Sequence, residues 1–461
     1  MFTFLLVLHP PAANLVLSVN NQKTEPDMAG MVSNQQSNQH GAAPVESHAS
    51  DDAGAEKAGE QVPTDFPEGG AAAWAVAIGT SAVTFCTLGY VNSFGVYQTW
   101  YQDHQLKTTS PSTIAWIGSL QAFFLFSGTL FGGPLFDRYG ATVIRIPALL
   151  YVFSVMMTSI CTKLWHFILA QGVLGGLSLG MTMAPAMAAV GQYFHKKRGL
   201  AIGLGVAGSS LGGVILPIAL DKLLHQPSLS FGWSVRIIGF IILALLAPSC
   251  LFIKARLPPR RTSFFLPRAF KEPPYFTLVA CCFFLMMGLF PPMFYLPSYA
   301  ITQGMGSDLA FYLVAILNST SFPGRIIPGL LADRFGRLNM LFFAGLSTGI
   351  LSLCWQACHS NAGILVYTTL FGFCSGAIIS GQVVALTTVS HDPRSIGTYL
   401  GMGMGVAAFA TLVGPPASGA IVSNHHSYTG VSILSGVASL VGAVLVIPAK
   451  LTAGHKVLSR N

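Results

Sequence analysis

The stretch GGPLFDRYG, residues 132–140, places Asp137 and Arg138 side by side directly after a long apolar run. The stretch PGLLADRFGR, residues 328–337, repeats the pair as Asp333 and Arg334, 196 residues later. Only 9% of the residues in this chain are charged, so an adjacent pair of opposite charges that occurs twice needs an explanation. The spacing indicates a duplicated architecture.

The composition is that of a membrane protein. The chain has 461 residues, of which 52% are hydrophobic, and its mean hydropathy is +0.60. Soluble domains carry about 25% charged residues, which they need to cover a surface that faces water. This chain lacks those residues, so much of its surface must face the lipid bilayer.

The apolar segments predict an all-α membrane protein of twelve transmembrane helices, arranged as two six-helix pseudo-repeats. From residue 71 onward, segments recur that are each long enough to cross a hydrocarbon core of about 30 Å. The predicted spans are 72–98, 112–136, 142–161, 164–191, 199–224, 232–254, 274–300, 309–332, 339–358, 362–390, 395–422 and 430–449.

The same pattern predicts the domain organisation. Residues 1–66 are expected to form a disordered cytosolic tail, because their polar part cannot bury enough apolar area to offset ordering. The six-helix halves are 67–253 and 274–450, and the Pro-rich basic stretch 254–273 is a cytoplasmic linker between them. Residues 451–461 form a short cytoplasmic tail.

The distribution of Lys and Arg predicts the orientation. With both termini cytoplasmic, the outer loops hold Lys107, Lys163 and Lys222, and most other basic residues fall in the inner loops and tails. Basic residues of membrane proteins concentrate in cytoplasmic loops. This bias also explains the net charge of +8, so we predict no nucleic-acid partner. We expect a multi-pass protein of the plasma membrane.

The duplicated loop resembles the signature of the major facilitator superfamily, which lies between helices 2 and 3 and again between helices 8 and 9. The matching residues are Gly133, Asp137, Arg138 and Gly140 in the first copy, and Gly329, Asp333, Arg334, Gly336 and Arg337 in the second. Within that superfamily the chain resembles the fungal members of the monocarboxylate-porter branch. The motifs are PEGGAAAWAVAIG (67–79), NSFGVYQTWY (92–101) and YFHKKRGLAIGLGVAGSSLGG (193–213).

The resemblance implies a secondary transporter whose substrate binds between the halves. Animal carriers of this branch place an arginine in helix 8 four residues before a glycine, and Arg325 matches that position. They place an aspartate one turn earlier, where this chain has Ser321, and a helix 1 lysine that falls at about Asn92. Two of the three charged transport residues are therefore absent, and neither a lactate-type substrate nor proton coupling follows from the resemblance.

Arg325 is the strongest candidate for substrate contact. An ionised side chain inside a membrane helix is unfavourable by about 3 kcal/mol or more, and it normally faces a cavity or a partner. Its forked guanidinium suits a carboxylate. Snorkelling, or pairing with backbone carbonyls, is the alternative explanation.

Asn92, Asn318 and Gln382 are predicted to lie at mid-helix positions and are further candidates for substrate contact. Each side chain can line a cavity or form an interhelical hydrogen bond. Asn92 on helix 1 and Gln382 on helix 10 are favoured, because helices 1, 4, 7 and 10 line the pathway in the superfamily that the chain resembles.

The sequence argues against an enzyme. Acid, histidine and metal-ligand clusters at a shared depth are missing, and no nucleotide-binding P-loop is present, so we predict no catalytic residue, cofactor or metal. A nutrient sensor on the same scaffold remains a weaker alternative.

We therefore predict a secondary transporter that moves a small organic molecule, a carboxylate or a secondary metabolite, by alternating access. A proton is a candidate co-substrate. Import of a nutrient acid and export of a metabolite both remain open. We expect the Asp137 loop to act as a latch, with the carboxylate meeting the positive end of a helix or an inner-loop arginine.

Overall fold

A computed structural model describes residues 66–260, 263–390, 392–425 and 427–453. The predicted disorder of the tail 1–66 falls almost wholly outside the described residues, as does most of the predicted tail 451–461. The described part of the chain is helical and contains no β-strand.

Twelve helical segments correspond to the twelve predicted spans. The N-terminal half consists of α1 (Gly70–Asp103), α2 (Pro111–Tyr139), α3 (Ala141–Thr158), α4 (Leu164–Tyr193), α5 (Arg198–Leu224) and α6 (Phe231–Phe252). The C-terminal half consists of α7 (Pro273–Thr302), α8 (Ser307–Phe335), α9 (Arg337–Ala357), α10 (Asn361–Thr388), α11 (Ile396–His425) and α12 (Thr429–Thr452).

Helix α8 differs from the other eleven in polarity. Those eleven, in the described residues, are both long enough and apolar enough to cross a bilayer. Helix α8 is 29 residues long, which is also sufficient, but its middle carries the polar sequence NSTS (318–321) and Arg325. Polar residues in a membrane helix usually face the interior of the bundle or a cavity.

The outer surface of the bundle is apolar, as contact with lipid requires. Ile146, Leu149 and Leu251 are each more than 60% exposed, and Phe153 is 51% exposed. Soluble monomers rarely expose contiguous apolar surface on this scale. The predicted membrane class agrees with this surface.

The two halves meet through two matched helix pairs, α2 with α11 and α5 with α8. Gly133 contacts Gly397 in the first pair, and Gly199 contacts Gly329 in the second. A Cβ atom at Gly397 would lie 2.5 Å from the carbonyl oxygen of Gly133, and one at Gly329 would lie 2.5 Å from that of Gly199. Glycine therefore lets the two backbones approach directly.

Helix α1 is interrupted near its middle. The helix breaks at Thr87 and again after Val91, so that Asn92 and Ser93 form a turn. Gly89, between the breaks, packs against Gly212 of α5. The interruption places the Asn92 side chain at the interior of the bundle.

Candidate transport site and latches

A small cavity lies between the halves. Its volume is about 60 Å³, and it is bounded by α1, α2, α5, α7, α8 and α10. Its lining residues are Leu88, Val91, Asn92, Ala122, Leu125, Phe126, Ser209, Met286, Leu289, Phe290, Met293, Asn318, Arg325 and Ile379. We call it the central cavity. Three of the four predicted substrate-binding residues (Asn92, Asn318 and Arg325) line it.

Arg325 crosses from α8 to α5. It is 3% exposed, and its Nη1 donates to the carbonyl oxygen of Val206 at 2.8 Å and to the hydroxyl of Ser209. The guanidinium therefore pairs with a backbone carbonyl oxygen, which was the alternative to substrate contact. It also keeps one buried donor, Nε, without a partner among the described residues.

Asn318 and Asn92 lie close together, against Gly213 of α5. A Cβ atom at Gly213 would lie 2.7 Å from Asn318 Oδ1 and 2.9 Å from Asn92 Nδ2. Asn318 Nδ2 donates to the carbonyl oxygen of Val314, whereas Asn318 Oδ1 has no partner within the described ranges. This places a buried acceptor in the same cavity as the Arg325 donor.

Gln382 is not brought together with these residues. It is fully buried in α10, and it does not line the central cavity. Its amide oxygen and nitrogen have no partner in the part of the chain that the structure describes. Its proposed role in substrate contact stays a prediction.

Asp137 joins α2 to the start of α11 in a contact that we call the first latch; the corresponding contact of Asp333 is called the second latch. The Asp137 carboxylate accepts hydrogen bonds from the backbone N–H groups of Gly397 at 3.0 Å and Thr398 at 2.6 Å. It also accepts one from the Thr398 hydroxyl at 2.7 Å. A helix N-terminus is a favourable place for a carboxylate, because the first N–H groups are unpaired and carry partial positive charge.

Arg260, from the linker, completes the first latch. Its backbone N–H donates to the Asp137 carbonyl oxygen at 2.7 Å. Its buried guanidinium donates to Ser395 Oγ at 3.3 Å and to Thr398 Oγ1 at 3.0 Å. Sequence reasoning placed Arg260 only in a basic linker. Nothing in the local pattern distinguishes it from its basic neighbours, because its partners in the latch (Asp137, Ser395 and Thr398) lie more than 120 residues away in sequence.

The second latch joins α8 to the start of α5. The Asp333 carboxylate accepts from the backbone N–H groups of Gly199 at 2.8 Å and Leu200 at 2.9 Å. Arg337 Nε lies 3.9 Å from Asp333 Oδ1, and its Nη1 donates to Thr388 Oγ1 at 3.2 Å. Its Nη2 donates to the carbonyl oxygen of His195.

The remaining signature residues are two exposed arginines and two glycines at turns. Arg138 and Arg334 are exposed, in positions where a cation can meet solvent or headgroups. Gly140 has φ +75° and Gly336 has φ +102°, a backbone conformation that favours glycine. These two glycines end α2 and α8 directly after the latch carboxylates.

One correspondence between the halves is offset by two residues. The 196-residue spacing pairs Arg198 with Arg394, but the latches pair Gly199 with Gly397, which is a spacing of 198 residues. Arg198 is buried and donates to the carbonyl oxygens of Gly191 and Thr387. Arg394 instead pairs with Asp392 at 3.2 Å. A two-residue difference in the loop before the helix separates the two arginines.

Glu68, in the predicted PEGG motif, caps the turn between α4 and α5. Its carboxylate accepts from the backbone N–H groups of His195 at 2.8 Å, Lys196 at 2.6 Å and Lys197 at 3.1 Å. Partial burial opposes the charged form, but these hydrogen bonds outweigh it, and the pKa of Glu68 lies below its usual value. The chain before α1 is thereby fixed beside the second latch.

A larger cavity opens at the opposite ends of the helices. Its volume is about 510 Å³, and we call the end of the molecule where it opens the far face. Its lining residues are Val96, Thr99, Trp100, Asp103, His104, Asp221, Leu224, His225, Gln226, Pro227, Leu229 and Phe311. They come from the ends of α1 and α5, the loop after α5, and the start of α8. The contacts of Asp137 and Asp333 thus join the halves at one end of the bundle, and this cavity opens at the other end, mainly within the N-terminal half.

The comparisons with known proteins agree with this architecture. The family model for the Major Facilitator Superfamily matches residues 72–355 and 320–459. The chain is 52% identical over 395 residues to the aspyridones efflux protein apdF of Emericella nidulans, covering 86% of this chain and 80% of that protein. It is 42% identical over 383 residues to the agnestins efflux protein of Paecilomyces divaricatus, covering 82% and 87%.

Solved structures show the same fold at low identity. The outward conformation of the transporter FucP aligns with a TM-score of 0.64 and 17% identity, covering 82% of this chain and 98% of that one. The human organic anion transporter MFSD10 aligns with a TM-score of 0.62 and 15% identity, covering 83% and 100%. The relatives described here are named as efflux proteins rather than monocarboxylate porters. This chain is a multi-pass membrane transporter, not an enzyme, and it belongs to the Major Facilitator Superfamily.

Proposed function

We propose that this transporter exports an organic secondary metabolite across the plasma membrane, and that the metabolite carries an acidic oxygen on an apolar body. The observation that carries the proposal is the central cavity, where one arginine and two asparagines face a wall of methionine, leucine and phenylalanine side chains. The names of the two efflux relatives support the direction of transport.

The lining selects the class of substrate. Arg325 supplies a buried cation without a carboxylate partner among the described residues, so an oxygen anion is the complementary group. Phe126, Phe290, Met286 and Met293 supply apolar contact. Methionine side chains repack readily around irregular shapes, which suits a large apolar metabolite better than a small hydrophilic acid.

The size of the cavity requires motion. Pockets for drug-sized ligands have volumes of about 300–1,000 Å³, and the central cavity has about 60 Å³. We infer that the halves 67–253 and 274–450 rock about the linker 254–273, so that the cavity widens and opens to alternate sides.

We further infer that the latch face is cytoplasmic, as the positions of Lys and Arg predict. Asp137 and Asp333 would then hold the outward-facing state and release when the halves rock. The exposed Arg138 and Arg334 would anchor the two loops at the cytoplasmic surface, beside Gly133, Gly140, Gly329, Gly336 and Arg337.

A proton is the proposed co-substrate, because the sequence has no nucleotide-binding P-loop and transport must draw on a gradient. No Asp, Glu or His lines the central cavity within the described residues. The latch carboxylates are buried or partly buried groups that can take up a proton, and coupling would then act on the latches rather than on the substrate.

Export from yeast cells preloaded with radiolabelled cinnamate tests the proposal, with cinnamamide as the neutral probe. Expression of the chain should speed cinnamate release at least several-fold and leave cinnamamide release unchanged. Arg325→Ala and Arg325→Lys should both remove the acceleration at equal surface expression, because neither retains the forked guanidinium. Ser319→Ala, an exposed position of the same helix, is the matched control.

The proposal fails if expression changes neither release nor uptake of cinnamate. Faster accumulation from the medium would instead show import. Normal export by the Arg325→Ala variant would remove that residue from substrate recognition.

A further inference from the structure

Helix α8 carries two unpaired buried polar atoms on residues that line the central cavity. Arg325 Nε is a donor and Asn318 Oδ1 is an acceptor, and neither has a hydrogen-bond partner in the described part of the chain. Both residues are almost fully buried, at 3% and 1% exposure. Buried polar groups are normally hydrogen-bonded, so two unpaired atoms of opposite type in one cavity indicate a ligand that pairs with both.

The two atoms lie on one face of the helix. Residues 318 and 325 are seven positions apart, which is two turns and about 10 Å along the axis. Both side chains line the same cavity, and apolar side chains of α2 and α7 line it as well. A ligand that reaches both is therefore elongated, with an apolar middle and a polar group near each end.

The surroundings fix the Asn318 acceptor in place. Its Nδ2 is bound to the Val314 carbonyl oxygen at 2.9 Å, which sets the orientation of the amide. The backbone of Gly213 packs closely beside this amide, since a Cβ there would lie only 2.7 Å from Oδ1.

We propose that Asn318 is a specificity-determining residue, whose side-chain oxygen accepts a hydrogen bond from a hydroxyl or N–H group of the substrate while Arg325 binds an acidic oxygen at the other end. This inference rests on the proposed function and names its substrate class: elongated, largely apolar acids that carry a hydrogen-bond donor remote from the acid. A site built to pair with a donor discriminates strongly against an analogue that lacks it.

Two matched probes test the inference with the purified full chain. 4-Hydroxycinnamate has a phenolic donor opposite its carboxylate, and 4-methoxycinnamate has the same body without the donor. We expect the wild-type protein to bind the hydroxy compound at least 10-fold more tightly, as measured by calorimetry. In Asn318→Leu the ratio should fall to about 1, with binding of the methoxy compound retained.

Controls separate recognition from folding. Ser319→Ala should keep the wild-type ratio. Gly213→Ala keeps the Asn318 side chain but crowds its oxygen, since the new Cβ would lie 2.7 Å from it, so it should also reduce the ratio. Each variant must match the wild type in its thermal unfolding temperature and its monodispersity; Gly213→Ala provides the test if Asn318→Leu does not fold.

The outcomes distinguish the two proposals. Equal binding of both probes by the wild type, or an unchanged ratio in the folded Asn318→Leu variant, would overturn the role of Asn318 while leaving cinnamate export intact. Failure of both probes to bind would overturn the substrate class named here. If expression of the wild-type chain does not change cinnamate release, the proposed function itself is overturned.

Discussion

The two latches share one arrangement but differ in the number of hydrogen bonds that each aspartate accepts. In each, an aspartate at the end of one helix binds two backbone N–H groups at the start of a helix in the other half. The first latch adds the Thr398 hydroxyl, whereas the second has Leu200 at the corresponding position. Asp137 is buried and Asp333 is partly exposed. The duplicated motif therefore marks two contacts of unequal depth and hydrogen bonding.

The halves differ more strongly at the cavity. Thr129 precedes Arg325 by 196 residues, as Asp137 precedes Asp333, and it packs against Gly401 of α11 as Arg325 packs against Gly203 of α5. The Thr129 hydroxyl donates to backbone carbonyl oxygens and carries no charge. The contacts at the latches are duplicated, whereas the buried cation at the central cavity is present in one half only, among the described residues.

The largest effect should come from neutralising the deeper latch. Asp137→Asn removes the charge that accepts three hydrogen bonds, and hydrogen bonds to charged groups contribute about 1.5–3 kcal/mol each. We expect the transport rate to fall roughly 10-fold or more, with substrate preference unchanged. Asp333→Asn should slow transport less, by a few fold. Flux of cinnamate and 4-hydroxycinnamate in proteoliposomes measures both rate and preference; altered preference would contradict a latch.

An intermediate effect should come from Thr398→Val, which removes the additional hydroxyl from the first latch and keeps both backbone donors. The hydroxyl donates to a carboxylate, and a hydrogen bond to a charged group contributes about 1.5–3 kcal/mol, so closure at the latches should weaken about 10-fold at the lower end of that range. Spin labels on α2 and α11 would report the closed population. An unchanged distance distribution in a folded variant would show that the hydroxyl does not set the difference between the latches.

The smallest effect concerns the Glu68 cap. Since the pKa of Glu68 is lowered in the folded protein, its contribution is present above the unfolded-state pKa of 4.5 and is lost as the pH falls through the folded value. Amide hydrogen exchange at His195–Lys197 should therefore be slow near neutral pH, and protection should decrease below about pH 4.5. Glu68→Ala should remove that protection at all pH values, and Asp308→Ala at the far face should not.

Sequence alone could predict the spans and the duplication, because the bilayer imposes a length on every helix and the Asp-Arg pairs repeat locally. It could also place Asp137 near a helix end. It could not identify Arg260 as a latch residue or Gly397 as the counterpart of Gly199, because these depend on contacts between residues more than 100 positions apart. Of the four residues predicted for substrate contact, Arg325, Asn92 and Asn318 line the central cavity. Gln382, which the pathway helices favoured together with Asn92, does not, because its side chain packs elsewhere in the interior.

The latches also determine which substitutions the sequence can tolerate at these positions. Each aspartate accepts its hydrogen bonds mainly from backbone amides, and every amino acid except proline supplies the same N–H group. The receiving side of each contact therefore places a weak chemical constraint on the side chain and a strong one on size, because Gly199 and Gly397 also touch the opposite backbone. Mutational scanning should show this as tolerance at Leu200, intolerance to any side chain at the two glycines, and an absolute exclusion of proline at all three.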